Sequence, residues 1–417
     1  MIRSVTVGIP VGAKSPAELE EGAKALIATA REILGDANMV PRTIRYTLPA
    51  VGLEGENEGT VLSTLRWIDN LAAETDVRWF CLPFDFVEEG PRRQRLSTAL
   101  DIITRFPRLF MNLIVADEYK MSVSAVNDVA SLVTRIARKS NNGFDNFRVG
   151  ASCGVPANSP FFPFSRHEGD EIAFSFALET TGIALSVVQE LGVAPPINVF
   201  RDRLVERLSE ALGEINQLGL QIAERTGTVY KGLDASFAPF PDGEMSVAAL
   251  IEHLLGAPVG SHGSVFITGV LTDAIRASLR ASGALSVGFN GVMYSLMEDN
   301  TLAAANSRRN INMDALVSLS AVCGCGVDMV PVSGNSFPEE IAGLTLDIAQ
   351  MALSLHKPLG VRVLPIPNKS PNEFTEFNLD FLCDSRVVGL QAHDRSLATS
   401  TPSLGLLSPR FSDSLNS

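Results

Sequence analysis

The chain has 417 residues, 46% of them hydrophobic, and a mean hydropathy of +0.17, enough to bury one large α/β core or two ordinary ones. Its net charge of -13 and pI of about 5.0 repel phosphate backbones and disfavour nucleic acid as a partner, and no uncharged apolar run is long enough to span a bilayer. The 5 cysteines, an odd number at irregular spacing, suit a reducing cytoplasm better than a disulfide framework.

The opening "MIRSVTVGIP" reads as a strand and not a signal peptide, with one arginine and no long apolar run. In "SPAELEEGAKALIATAREILGD" Ser15 is a helix N-cap, Pro16 fits the first helical position and Glu18 completes a capping box. There follow "RTIRYTLP" as a strand, "TVLSTLRWIDNLAAET" as a helix, "VRWFCLPF" and "RLFMNLIVA" as strands and "SVSAVNDVASLVTRIARKS" as a helix. "NFRVGASC" and "EIAFSFALE" are further strands, and "FRDRLVERLSEALGEINQLGLQIAERTG" is a long central helix. "VYKGLDASFAP", "VGFNGVMYSLM", "VDMVPV" and "GVRVLPIP" complete roughly ten strand candidates with helices between them. This alternation predicts a largely parallel sheet, open or closed into a barrel, with ligands met at the carboxyl ends of its strands. The Ser-rich residues 391–417 lose periodicity and are expected to form a mobile tail beyond a domain over residues 1–390.

Four stretches can carry chemistry. In "SAVCGCGVDMVP" a single C-x-C lacks the second pair that structural zinc needs. "NMDALVSLSAVC" reads as a helix ending near Cys323, and a helix C-terminus disfavours thiolate, so an ionic nucleophile there needs a neighbouring cation or metal. Both cysteines can equally be small buried side chains at a turn. "DSRVVGLQ" fits the R-V-x-G part of a glycyl-radical loop through Arg386, Val387 and Gly389, with Leu390 where an aromatic residue is usual; the same alternation suits an edge strand. His167, Asp234, Asp242, Glu244, His262, Glu298, Asp299 and Asp328 fall in strand-end loops, where carboxylates and imidazole can hold a divalent metal or move protons, or simply cap helices and turns. Asp242 reads as a turn residue, and Glu298 and Asp299 as the start of a helix. "GSHGS", with Ser261 and His262 ahead of an apolar helix, can cradle an anion. Arg45 or Arg42, near a strand, can pair with a substrate carboxylate.

Together these stretches resemble one family, domain of unknown function 711, or uncharacterised protein family 0210, often labelled pyruvate-formate-lyase-like. "IRSVTVGIP" resembles its first strand, and "PANSPFFPFSRHEG" its Pro-Phe-rich loop ending in histidine, here His167. "GLDASFAPFPDGEMSVA" resembles its D-x-S-x-A-P segment at Asp234, Ser236, Ala238 and Pro239, and "GSHGS" its G-[ST]-x-G segment. "GFNGVMYSLMEDNTLA" carries Gly288, Gly291, Glu298 and Asp299 of a third motif, and "SAVCGCGVDMVPV" Cys323, Gly326 and Asp328 of a fourth. The likeness covers residues 2 to 390; Gly154 departs from an asparagine frequent in the family, and Cys325 matches no constant position.

The resemblance implies a pyruvate formate-lyase-like barrel of about ten strands in two five-stranded half-sheets surrounded by helices. Bacterial relatives often sit beside a small ACT-domain protein, which hints at amino-acid or 2-oxo-acid metabolism. The expectation is an enzyme without a glycyl radical, a lyase or isomerase acting on a small carboxylate or amino-acid-like metabolite at a barrel mouth. Cys323, His167, Asp234 and Glu298 are its candidate catalytic residues, and Arg45, Ser236, Ser261, His262 and Gly291 its substrate contacts. A divalent metal would sit on Asp234, Glu298, Asp299 and Asp328. A non-catalytic metabolite-binding or regulatory protein is the second reading, and a glycyl-radical enzyme the third. No membrane or nucleic-acid partner is expected, and a homodimer fits the apolar composition.

Overall fold

The computed structural model describes residues 1–51, 58–87, 92–192, 195–241 and 245–391. Asp242, Glu244 and the Ser-rich segment after residue 391 lie outside the described residues. Among the described residues nine strands form one sheet: β1 (Ile2–Gly8), β2 (Thr43–Thr47), β3 (Trp79–Asp85), β4 (Leu109–Ala116), β5 (Val149–Cys153), β6 (Ala173–Leu178), β7 (Val229–Asp234), β8 (Gly326–Ser333) and β9 (Leu359–Ile366), in the order β7-β6-β1-β2-β3-β4-β5-β9-β8. Strands β1 to β5 run parallel, whereas β6 pairs antiparallel to β1 and β9 antiparallel to β5, so the four later strands run the other way. Helices cover the sheet, and the main core runs from Ile2 to Val388. Among the described residues no helix is long and apolar enough to cross a membrane.

Local chemistry explains the elements. The first helix, Pro16–Asp36, begins at Ser15 with the predicted capping box: the Ser15 amide donates to Glu18 Oε2 at 3.0 Å and the Glu18 amide to Ser15 Oγ at 3.4 Å. Strands β4, β8 and β9 are buried at every residue, which their continuous apolar sequences require of strands covered on both faces.

The tenth expected strand, "VGFNGVMYSLM", is the exception. It forms no regular strand but is tied by isolated parallel bridges, Leu233↔Ser286 and Phe237↔Val292 on the β7 side and Ser295↔Asp328 on β8. Its glycines explain the irregularity. Gly291 packs back to back with Gly324, so that a Cβ on Gly291 would lie 2.7 Å from Gly324 Cα. We expect Gly291→Ala to lower stability by about 2 kcal/mol, because backbone meets backbone and nothing flexible can give way. A denaturation midpoint within error of wild type would contradict this.

The Pro-Phe-rich loop lies against the inward side of the parallel strands. Thr6 Oγ1 donates to Pro160 O at 3.0 Å, Cys81 Sγ to Pro163 O at 3.3 Å, and Asn112 Nδ2 to Ser165 O at 3.3 Å. This fixes Phe161, Phe162 and Phe164 as interior walls.

Candidate functional site

One pocket combines charged, aromatic and thiol side chains. Its lining atoms enclose about 590 Å³, counting the open mouth. Arg3, Arg45, Trp79 and Phe110 come from the first halves of β1 to β4, and Phe147 from the turn before β5. The oppositely directed half contributes Pro239 beyond β7, Ser295 and Glu298 from the irregular segment, Asp328 of β8 and Arg362 of β9. Ligands were expected at strand carboxyl ends. Residues of four parallel strands and of the turn before a fifth instead face residues of the half that runs the other way, so the pocket mixes both halves.

Its electrostatics leave one cation over. Arg362 grips Asp328 through two bonds, Nε to Oδ1 at 2.6 Å and an NH group to Oδ2 at 2.8 Å, and lies over the Phe147 ring at 5.5 Å. Arg3 donates to Glu298 at 3.2 Å, to Glu179 at 3.3 Å and to Pro239 O at 2.8 Å. Glu298 also accepts from Ser295 Oγ at 2.7 Å. Burial raises the Glu298 carboxyl, but Arg3, Arg362, the Ser295 hydroxyl and Arg45 together outweigh it and hold it below the usual range. Arg45 differs. Its Nε donates to Thr43 Oγ1 at 3.0 Å and its guanidinium faces the Phe162 ring at 5.1 Å, but among the described residues no carboxylate pairs with it. Burial, then Arg3, lowers its pKa, yet a guanidinium stays charged at neutral pH. Among the lining residues three guanidiniums meet two carboxylates, Arg3 sharing a third, Glu179, with Arg42 outside the lining, and Arg45 is left without a paired carboxylate among the described residues.

The other end of the pocket is apolar and carries a thiol. Cys325 packs with Phe161, Phe164, Phe289 and Met293, and it lines the pocket. Cys323, the expected reactive cysteine, is fully buried and is not among the lining residues. The helix Met313–Ser320 ends three residues before it, and the Cys323 amide still donates to Leu319 O at 2.9 Å. The two thiols flank the Gly326 peptide, Cys323 Sγ 4.0 Å and Cys325 Sγ 3.7 Å from its carbonyl oxygen. The Cys325 thiol, together with the Lys357 ammonium and the Gly326 amide 3.4 Å from Cys323 Sγ, lowers Cys323 against the effect of burial. The neighbouring Cys323 and burial push Cys325 upward. The helix-end objection to a thiolate at Cys323 is thus met by a cation, Lys357, to which no sequence motif pointed.

The remaining predicted residues do structural work elsewhere. Asp234 is fully buried and accepts from the Ser236 amide at 3.0 Å, the Ser236 hydroxyl at 2.5 Å, the Phe289 amide at 2.6 Å and the Asn290 amide at 3.0 Å. It ties β7 to the irregular segment, and Ser236 in turn accepts from the Gly291 amide at 3.2 Å, so neither Ser236 nor Gly291 faces the pocket. Asp299 caps the helix Asn300–Ser307, as its sequence suggested, and also accepts from Ser246 Oγ at 2.6 Å and the Ala248 amide at 3.0 Å. With Asp234 and Asp299 saturated and Asp328 held by Arg362, the expected metal set of Asp234, Glu298, Asp299 and Asp328 does not assemble. Among the described residues no three His, Cys, Asp or Glu side chains form a metal-binding group.

His167 is buried with its ring nitrogens on Asn158 Oδ1 at 3.3 Å and Gly169 O at 3.0 Å, and burial lowers its pKa, so it packs as a neutral ring beside Gly8. Ser261 and the exposed His262 lie in a surface turn ahead of the helix Ser264–Ser282, away from the pocket. Arg42 donates to Glu179 at 2.7 Å. Gly389 is exposed, and a Cβ there would meet only Pro371. Sequence reading missed Arg3, Arg362 and Lys357. A lone arginine inside an apolar strand, as in "IRSVTVG" and "LGVRVLPI", is the signal that could have found the first two, because such a charge must find a partner.

The family described as Uncharacterised ACR (DUF711) matches residues 1–380. The UPF0210 protein MK1214 of Methanopyrus kandleri is 27% identical over 397 residues, covering 89% of this chain and 87% of that protein. A UPF0210 protein of Pyrobaculum arsenaticum is 31% identical over 232 residues, or 54% and 51% of the two chains. A UPF0210 protein of Syntrophotalea carbinolica is 22% identical over 401 residues, or 90% and 87%.

Proposed function

The chain belongs to the DUF711 family, and from that premise we propose that it is an enzyme acting on a small, partly apolar carboxylate held in the arginine pocket. The observation that carries this reading is the half-buried Arg45 guanidinium, without a paired carboxylate among the described residues, in the lining of an aromatic-walled cavity. A buried charge without a counter-ion is costly, and an anionic ligand relieves the cost. The substrate carboxylate meets Arg45, its carbon skeleton lies along Phe289 and Met293, and its far end meets the Cys325 thiol. An amino-acid-like substrate would add an ammonium, for which Glu298 is a carboxylate acceptor in the pocket lining. The reaction class is bond cleavage or rearrangement, with Cys325 as the group that touches substrate and Cys323 as its proton partner.

The accompanying fold reading is a closed pyruvate formate-lyase-like barrel of ten strand-like segments. Its support is the irregular segment bridged in parallel to both β7 and β8, which makes five segments run against five. The exposure of Gly389 supports chemistry without a glycyl radical.

A thermal-shift panel tests the binding step. Carboxylates and 2-oxo acids of two to five carbons should raise the unfolding midpoint saturably, while matched amides and alcohols should not. A ligand present at 100 times its Kd adds about 2.7 kcal/mol. A panel in which no carboxylate moves the midpoint would sink the reading. Product formation lost in Cys325→Ser with binding retained would assign the enzyme; binding with no turnover in wild type would favour a non-catalytic binder.

A further inference from the structure

We infer that Lys357 is a positioning residue for the thiol pair: its ammonium supplies the positive charge that the helix end before Cys323 lacks, and so favours a thiolate at Cys323. The inference rests on the reading above in that the pair serves chemistry, but its geometry is independent of any substrate.

The helix Met313–Ser320 has no basic residue in its last turn, so its unsatisfied carbonyls present negative potential to the turn that carries Cys323. Lys357 stands just before β9, 34 residues further along the chain. Its Nζ donates to Ser320 O at 2.8 Å and to Cys323 O at 2.5 Å. The ammonium thus occupies the place of a C-terminal cap and neutralises the carbonyl dipoles that would otherwise oppose a charge on Cys323. The Gly326 amide adds a backbone donor to the same sulfur.

The other groups around the pair divide the charge unequally. On the Cys325 side, Asp328 disfavours a second negative charge, and Arg362 offsets it only in part because it is committed to Asp328. Tyr294 stays neutral, pushed up by burial; burial and, less, Arg276 oppose the ammonium of Lys357, while Cys323 and Cys325 favour it. The negative charge therefore belongs on Cys323, and Cys325 keeps its proton while its side chain lines the pocket. The other three thiols do not obscure this. Burial pushes Cys81 up, and Cys153 and Cys383 each to about 12.

The test is the thiolate absorbance near 240 nm of the full chain as a function of pH. Wild type should show one thiolate appearing well below the range in which an ordinary cysteine ionises, a step absent in Cys323→Ser. Lys357→Gln keeps donors for both carbonyls but removes the charge. It should move the step up by at least about one pH unit, tenfold less thiolate at a given pH. Lys357→Arg should keep the step near its wild-type position. A step unmoved in Lys357→Gln, or moved equally in Lys357→Arg, would overturn the assignment, with circular dichroism checking that each variant is folded. Carboxylate binding does not enter this titration. A silent ligand panel beside a Lys357-dependent step would reject the proposed substrate and leave this inference standing, and the reverse pattern would do the opposite.

Discussion

Arg45→Met should weaken carboxylate binding severely while leaving the fold intact or more stable. The expected loss is about 100-fold in Kd, from two charge-assisted hydrogen bonds to a carboxylate less what water returns. Stability moves the other way because of what Arg45 does without ligand. It makes one hydrogen bond to Thr43 and one ring contact to Phe162; burial and the charges of Arg3, Arg362 and Arg78 oppose its own, and Glu298 offsets them only in part. Methionine keeps most of the side-chain volume against Phe162 and removes the repulsion, so the ligand-free unfolding midpoint should rise. Few substitutions of a structural residue weaken binding and strengthen the fold at once. Arg45→Lys should fall between the two, since an ammonium keeps the charge but not the planar fork. Calorimetric titration with the best carboxylate from the panel, together with unfolding of the ligand-free proteins, reads both effects. Equal affinity in Arg45→Met and wild type would remove Arg45 from the site.

How far the sequence exposed this arrangement depended on the range of the interaction involved. Local chemistry was legible. The Ser15–Glu18 capping box and the Asp299 helix start are set by residues a few positions apart, and both are present in the structure. Apolar alternation found the strands, except where glycines and Asn290 break the regular pairing of residues 286–295. The pocket was legible only in pieces because its contacts join distant parts of the chain. Arg3 reaches Glu298 across 295 positions and Arg362 reaches Asp328 across 34. Motif spacing cannot encode such pairs; the reversal of direction between β1 and β6 and between β5 and β9 creates them. The same reversal explains why attention to loops at strand ends favoured His167, Asp234 and Ser236. These residues carry recognisable motifs because they hold irregular backbone in place, and buried irregular backbone needs polar side chains. The cysteine turn combines both situations. Its glycines and thiols are plain in "CGCG", but the residue that completes it, Lys357, belongs to another element.

Asp234→Ala should be the most destabilising of these substitutions. Four donors converge on this one carboxylate, three backbone amides and one hydroxyl, from Ser236, Phe289 and Asn290, which join β7 to the irregular segment. Alanine leaves them without an acceptor in a fully buried place, at a cost of about 3 kcal/mol. The loss should have a pH signature. Burial raises the Asp234 carboxyl to about 6, more than the Ser236, Phe289 and Asn290 donors lower it. A carboxyl raised in the folded state favours the fold when protonated. Its contribution is full below the unfolded value, about 3.8, and is lost as pH rises through about 6. The stability gap between wild type and Asp234→Ala should therefore widen as pH falls from about 7 to about 5, although both proteins lose stability in acid for other reasons. Denaturant titrations of the pair at each pH measure that gap directly. A gap that narrows on acidification would mean that the four donors outweigh burial and that Asp234 stays ionised, as a fixed anion beneath the pocket wall at Phe289. A gap that widens would make the joint between β7 and the irregular segment proton-dependent. Because Phe289 lines the pocket and takes its position from this carboxylate, carboxylate affinity should then weaken over the same pH range in which the joint loosens.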